Sequence, residues 1–283
     1  MRTYPECYEC VLRQFTSELD LINLDLETQT LMVKEALVLL GEARGSATPP
    51  DLYGQLHSML RDNIGDIDAY VESKRKSHQL AMGYQEALRG LIGNGPDKFE
   101  QGIKVSAAGN IIDVLYAREY NLWDEVESSV NQDLLGGGLS AFQQKISKAP
   151  YLLYLADNVG ETIFDKVFIE TLNIPVKYGV KGGPILNDAT LEDARSAGID
   201  QIAEIVETGS RSPGTPLDQC TNDFRRLFDE SPLVLAKGQA NYETLDDGGD
   251  KIFFLLRLKC PLISREIGFP HGSLVLKQGL PLN

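Results

Sequence analysis

The chain has 283 residues, 42% hydrophobic and 24% charged, and its 41 acidic against 27 basic residues give a formal net charge of −14 at pH 7. That length predicts roughly two domains with a substantial buried core. The acidic excess would repel nucleic-acid phosphates and anionic lipid surfaces, so neither nucleic acid nor membrane is an expected partner. The longest apolar run, Tyr151 to Ala156, falls far short of the roughly 20 residues that span a bilayer. Glu6 and Glu9 interrupt the amino terminus before any apolar stretch, so a secretory signal is not expected and the predicted compartment is the cytoplasm.

The first half reads as successive helices. Apolar residues at three- and four-residue spacing predict helices around Cys10–Glu18 and Thr28–Leu40, the latter with Leu31, Val33, Ala36, Leu37 and Leu40 on one face. Gly41–Pro50 breaks the pattern, which resumes over Asp51–Ile64 and Asp68–Ile92. A further helical stretch runs from Pro96 to about Arg118 with Gly109–Asn110 near its middle, a pair that also reads as a kink. Residues 1–145 are therefore expected to form an all-α domain.

The period then changes. Tyr151–Ala156, Pro175–Val180, Gln201–Val206, Leu233–Ala236 and Ile252–Leu258 are short apolar runs typical of strands covered on both faces. Helical candidates at 161–172, 189–197 and 217–229 lie between them. This alternation predicts an α/β domain over 146–283, a Rossmann-like three-layer arrangement with a parallel or mixed sheet. Gly136–Gly138 falls near the junction and reads as a helix break rather than a phosphate loop.

In open α/β sheets ligands bind beyond the carboxyl ends of the strands. After the first strand comes Asp157-Asn158-Val159-Gly160-Glu161; after the second, Lys181 through Asp188; after Leu233–Ala236, Lys237-Gly238-Gln239-Ala240-Asn241-Tyr242-Glu243. Asp157, Asn158 and Asp188 offer hard oxygen ligands suited to a divalent cation, Lys237 offers a positive charge, and Gly238 permits close backbone approach. Each has a plainer explanation, since Asp188 is placed to cap a helix and Asp157-Asn158 to make a turn. Together, at successive strand ends, they point to a metal-plus-anion site.

Gly109-Asn110-Ile111-Ile112-Asp113, Asp157 to Glu161 with Asp165, Pro184-Ile185-Leu186-Asn187-Asp188 and Lys237 to Glu243 resemble, in order and spacing, the motifs of the DUF89 family, the metal-dependent, ARMT-like damage-control phosphatases. Tyr4-Pro5-Glu6-Cys7-Tyr8-Glu9-Cys10 resembles the start of its compact stand-alone prokaryotic branch. The resemblance implies a helical domain packed on a Rossmann-like domain, with a divalent ion (Mn²⁺, Ni²⁺, Co²⁺ or Mg²⁺) held by Asp157, Asn158 and Asp188. It further implies that Lys237 contacts the substrate phosphate within the Lys237-Gly238-x-x-Asn241 segment, and that Asn110 approaches from the helical domain with Asp113 on the same helix face.

These groups suit hydrolysis of a phosphomonoester of a small, possibly damaged metabolite such as a sugar phosphate. A divalent ion and Lys237 would neutralise phosphoryl oxygens, and Glu161 could orient a bound water or simply complement a helix terminus. Water is the favoured nucleophile, with an aspartyl-phosphate on Asp157 the alternative. Two other readings stay open: a Rossmann-type S-adenosylmethionine or nucleotide enzyme such as a carboxyl methyltransferase, weakened because no G-x-G-x-x-G follows a strand, and a non-catalytic metal- or metabolite-binding module. Cys7-x-x-Cys10 could begin a zinc or redox site, but with only Cys220 and Cys260 beside it the better reading is two buried thiols.

Overall fold

In the computed structural model, which describes residues 1–111 and 122–282, helix boundaries follow the capping chemistry. The helices α1 (Pro5–Ile22), α2 (Leu26–Glu42), α3 (Pro49–Ile64), α4 (Val71–Gly93), α5 (Lys98–Ala108) and α6 (Leu122–Val130) precede the main sheet strands, with a 3-10 turn at Gly109–Ile111. Asp25 caps α2 by accepting from the Thr28 N–H. Thr48 and Asp51 form a reciprocal capping box ahead of Pro49-Pro50, whose fixed φ suits a first helical turn, so the expected break at Gly41–Pro50 is shorter than the composition suggests. Asp113 and Arg118 lie outside the described residues.

Seven strands, β1 (Leu134–Leu135), β2 (Leu152–Leu155), β3 (Val176–Val180), β4 (Glu204–Glu207), β5 (Val234–Lys237), β6 (Ile252–Arg257) and β7 (Leu274–Gln278), form one sheet in the order β1-β7-β6-β5-β2-β3-β4. Every pairing is parallel except β6–β7. Helices α7 (Leu139–Ile146), α8 (Thr162–Ile169), α9 (Leu191–Ser196), α10 (Asn222–Glu230), α11 (Gln239–Leu245) and α12 (Pro261–Ile267) complete the α/β architecture. The expected strand at Gln201 starts later, because Ile199–Gln201 is a 3-10 turn and β4 is a half-exposed edge. The Gly136–Gly138 run neither interrupts a helix nor forms a phosphate loop: it lies against β7, where the Gly138 N–H donates to Leu276 O at 3.0 Å.

Alternation along the strands sorts their side chains onto two faces. Leu152, Tyr154, Leu235 and Phe253 pack with Leu88 and Ile92 of α4, Ile103 of α5 and Phe164 and Phe168 of α8. Leu153, Leu155, Val234 and Phe254 pack with Phe224 and Phe228 of α10 and Leu245 of α11. A third core joins Phe15, Leu19, Met32, Ala36, Leu52 and Leu56 of α1–α3 with Ile185 and Leu186 of the α/β half. The apolar core therefore does not divide at residue 145. The stripes of α4 and α5 bury against α8 and belong to a layer on the sheet, β1 enters the sheet before that point, and even the α1–α3 core is shared with Ile185 and Leu186. Among the described residues no helix is long and apolar enough to cross a membrane.

Candidate active site

The chain runs outward through β2, β3 and β4, then returns to place β5 on the other side of β2. Connections leave β2 and β5 in opposite directions, which opens a crevice at their carboxyl ends. Asp157 follows β2, Gly238 follows β5, and the two meet there. Backbone bonds fix the rim: the Ala189 N–H donates to Asp157 O and the Val159 N–H to Asn187 O, both at 2.9 Å, and Asn158 and Asp188 pair as an isolated antiparallel bridge. Asp157, Asn158 and Asp188 are thus brought together, nearly buried.

Asp188 is not the helix cap that its position suggests. Thr190 caps α9, its N–H and hydroxyl both donating to Asp193 Oδ2 at 2.9 and 2.7 Å. Asp188 Oδ2 has no hydrogen-bond partner, and the Lys181 ammonium stands 3.4 Å from it. Two residues earlier Leu186 adopts φ 48°, a left-handed conformation that costs an apolar residue about 1–2 kcal/mol; its packing against α1–α3 offsets that and fixes the turn before Asp188.

Asn110, in the 3-10 turn after α5, donates from Nδ2 to Asp157 Oδ2 at 3.1 Å and also to Glu161 Oε1. Asn158 Nδ2 donates to Glu161 Oε1 at 2.9 Å and to Asp157 Oδ2 at 3.4 Å. Burial pushes Asp157 well above the usual carboxylate range, and Glu161 and Asp188 add to it. Burial also raises Asp188, with Lys181 opposing. Burial would raise Glu161 too, but Lys237 overrides it and holds that carboxyl below its ordinary value. Around the crevice the four buried carboxyl groups of Asp157, Glu161, Asp165 and Asp188 stand against the two buried ammonium groups of Lys181 and Lys237, so Asp157 is held toward its protonated form and a divalent cation would favour its ionised one.

Two expected substrate contacts lie elsewhere. The Lys237 ammonium is 1% exposed, below the rim, and donates to Glu161 Oε2 (2.9 Å), Asp165 Oδ1 (2.6 Å) and Ser106 O (3.0 Å). Three donors with three protein acceptors leave none for a phosphate in this arrangement. Asn241 donates to Ala156 O (3.1 Å) and Lys237 O (2.8 Å) and accepts from Thr215 Oγ1 (2.6 Å), so it ties the ends of β2 and β5 together. Gly238 is required where expected, for a different reason: a Cβ there would stand 1.9 Å from Asp157 Oδ2, so the close approach is to Asp157. Glu161, fully buried, touches Asn110, Asn158 and Lys237 rather than opening onto the cleft.

Above this floor a cleft of about 570 Å³ has Pro49, Pro50 and Tyr53 on the helical side and Gln239, Lys259 and Arg265 on the other. Cys7 and Cys10 of α1 and Cys260 also line it; Cys7 is buried but Cys10 is exposed, so the pair is not the two buried thiols expected. Among the described residues no three His, Cys, Asp or Glu side chains form a ready metal cage, these cysteines included; the Asp157–Asn158–Asp188 set is two carboxylates and an amide. Lys259 went unread in the sequence although it directly follows the run Ile252–Leu258, where strand-end logic would have found it. Its N–H and that of Cys260 donate to Gln239 Oε1 at 2.7 and 3.0 Å, which fixes the loop beside the rim.

The sequence model of the damage-control phosphatase ARMT1-like domain matches residues 3–275. A damage-control phosphatase of Pyrococcus horikoshii is 32% identical over 97% of both chains, and one of Archaeoglobus fulgidus is 30% identical over 98% of this chain and 99% of its own. A crystal structure of a DUF89 family protein from Pyrococcus horikoshii superposes with a TM-score of 0.88 at 30% identity, covering 98% of this chain and 99% of that one.

Proposed function

Since the chain belongs to the damage-control phosphatase ARMT1-like (DUF89) family, we propose that its crevice hydrolyses phosphomonoesters of small metabolites and depends on a divalent cation held by Asp157, Asn158 and Asp188. The observation that carries this reading is the convergence of those three oxygen-bearing side chains at the β2/β5 crevice, with buried Asp188 Oδ2 making no hydrogen bond and the Lys181 ammonium 3.4 Å away. A buried carboxylate oxygen without a hydrogen bond is costly even beside an ammonium at that distance, and a bound cation would complete it. When bound, such an ion would neutralise phosphoryl oxygens and lower the pKa of a water beside it.

The protein's own groups do the rest. Asn110 and Asn158 hold Asp157 Oδ2 through their amide N–H groups, which turns the carboxylate and leaves the amide oxygens for the cleft. That same Oδ2 accepts two amides and abuts Gly238, an arrangement ill-suited to attack on phosphorus, so water is the nucleophile in this reading. Lys259 is the cleft lysine that faces an incoming phosphate, in place of Lys237. The walls from α1, α3 and α12 confine the site, which favours small phosphorylated metabolites over folded phosphoproteins.

Phosphate release from a panel of phosphomonoesters, assayed after exhaustive chelation and again with Mn²⁺, Ni²⁺, Co²⁺ or Mg²⁺ added, tests the reading. Activity should vanish with the metal, return with at least one ion, and be absent in Asp157→Ala. Full turnover in excess chelator, or an Asp157→Ala enzyme at the native rate, would refute it.

A further inference from the structure

Beneath the crevice lies a carboxylate that touches neither the cleft nor the metal-binding set. Asp165, one helical turn after Glu161 on α8, is fully buried. Its Oδ1 accepts from Ser106 Oγ (2.8 Å), Tyr154 Oη (2.6 Å) and Lys237 Nζ (2.6 Å), and its Oδ2 accepts from Tyr178 Oη (2.8 Å). The two tyrosine rings stack at 5.3 Å and buttress it. A buried carboxylate with four donors is rigid, and two of its bonds lead back to the crevice. Through Lys237 it reaches Glu161, whose other oxygen accepts from Asn110 and Asn158. Through Ser106, whose carbonyl also accepts from Lys237, it pins α5 four residues before Asn110.

We propose that Asp165 is a positioning residue for the cation site: by sharing Lys237 with Glu161, it keeps Glu161 turned toward Asn110 and Asn158, and so keeps the amide oxygen of Asn158 facing the cleft. Without Asp165, the buried ammonium would have Glu161 as its sole carboxylate partner. It would draw that side chain inward, away from the two amides, and either asparagine could then rotate. Lys237 belongs to the same relay, acting on the site through Glu161 rather than on substrate. The proposal rests on the metal-dependent reading above and adds a residue to it.

The test is Mn²⁺ binding to the purified full chain by titration calorimetry, with thermal unfolding and steady-state kinetics on a phosphomonoester alongside. Asp165→Asn should weaken Mn²⁺ binding about tenfold or more and lower kcat similarly, while KM at saturating Mn²⁺ stays within about twofold. Added to Lys237→Met, the same substitution should weaken binding by less than about twofold further, because the path to Glu161 is already cut. A folded Asp165→Asn protein with native Mn²⁺ affinity, or fully additive effects, would overturn the proposal and leave Asp165 a strut only. Should Asp165→Asn fail to fold, the isosteric pair Tyr154→Phe and Tyr178→Phe removes two of its four bonds; together they should weaken Mn²⁺ binding about threefold, and unchanged binding would overturn it. A native chain that binds no Mn²⁺ would sink the metal-dependent reading itself, whereas native binding equalled by the variants would sink only this proposal.

Discussion

Replacing Gly238 with Ala separates backbone strain from damage to the crevice. Gly238 sits at φ 80°, ψ 169°, a region essentially restricted to glycine. Gly65, at the end of α3, has nearly the same conformation, φ 90° and ψ 178°, but a Cβ there would meet nothing within 4 Å. Strain alone should therefore cost both variants about 2 kcal/mol, lowering Tm by about 3–4 °C in a chain of this size. Only at Gly238 does the new methyl fall 1.9 Å from Asp157 Oδ2, less than any real contact, so the carboxylate must move by an ångström or more. Displacement on that scale can lower turnover about a hundredfold. Phosphate-release kinetics and thermal denaturation on the two variants decide the matter. A Tm loss with native activity in Gly65→Ala, and a larger Tm loss with activity lost in Gly238→Ala, are expected. Native kcat in Gly238→Ala, or equal activity losses in both, would refute the placement of Asp157 at the reacting centre.

Three further outcomes follow from other contacts. Asn241→Ala strips partners from Thr215 Oγ1 and from two buried carbonyls, and should lower stability by about 3 kcal/mol in denaturant titrations. Lys259→Met should lower kcat/KM for phosphomonoesters by at least about tenfold; unaltered kinetics would remove Lys259 from the site. In the helical half Glu18 and His57 face each other at 3.4 Å, with Tyr53 Oη donating to Glu18 at 2.6 Å. Burial lifts Glu18 to about 7 and drops His57 to about 4. Glu18 thus contributes stability that is lost as pH rises from its unfolded value toward 7, and His57 stability that is lost as pH falls from 6.5 to 4, so the two oppose each other. Relative to the native chain, Glu18→Gln should make the unfolding free energy rise with pH by up to about 3 kcal/mol more between pH 4.5 and 7; parallel profiles would contradict the burial of the Glu18 carboxyl.

Four strands were legible as short apolar runs because a parallel sheet buried on both faces needs nothing else, and the half-exposed edge β4 was placed three residues early. β1 and β7 escaped notice for the opposite reason: one is two residues long, and the other, Leu274–Gln278, ends on half-exposed Lys277 and Gln278. Asp157, Asn158 and Asp188 could be read because strand ends are where sheet geometry delivers ligands. The positions of Lys237 and Asn241 could not, since both follow the same strand end and sequence carries no sign of whether a polar side chain turns up into a cleft or down into a network. That choice was made by Asp165 and Tyr154, which no local pattern ties to Lys237. The helical half misled for a similar reason: periodicity finds the apolar stripes of α4 and α5 but does not say that they cover the sheet rather than α1–α3.

The place of β7 bears on how the molecule is made. β1 pairs with β7 alone, Leu134 beside Leu274 and Leu135 beside Val275, and β7 lies between β1 and β6. On the ribosome, every residue of the crevice emerges before the strand that closes this side of the sheet. Until Leu274–Gln278 is released, β6 offers the run Ile252–Leu256 as an open apolar edge, the kind of template on which nascent chains associate. Premature termination just before Leu274 would spare every residue assigned to chemistry and still yield a chain prone to aggregate, so lesions there would be felt as loss of protein rather than as altered turnover.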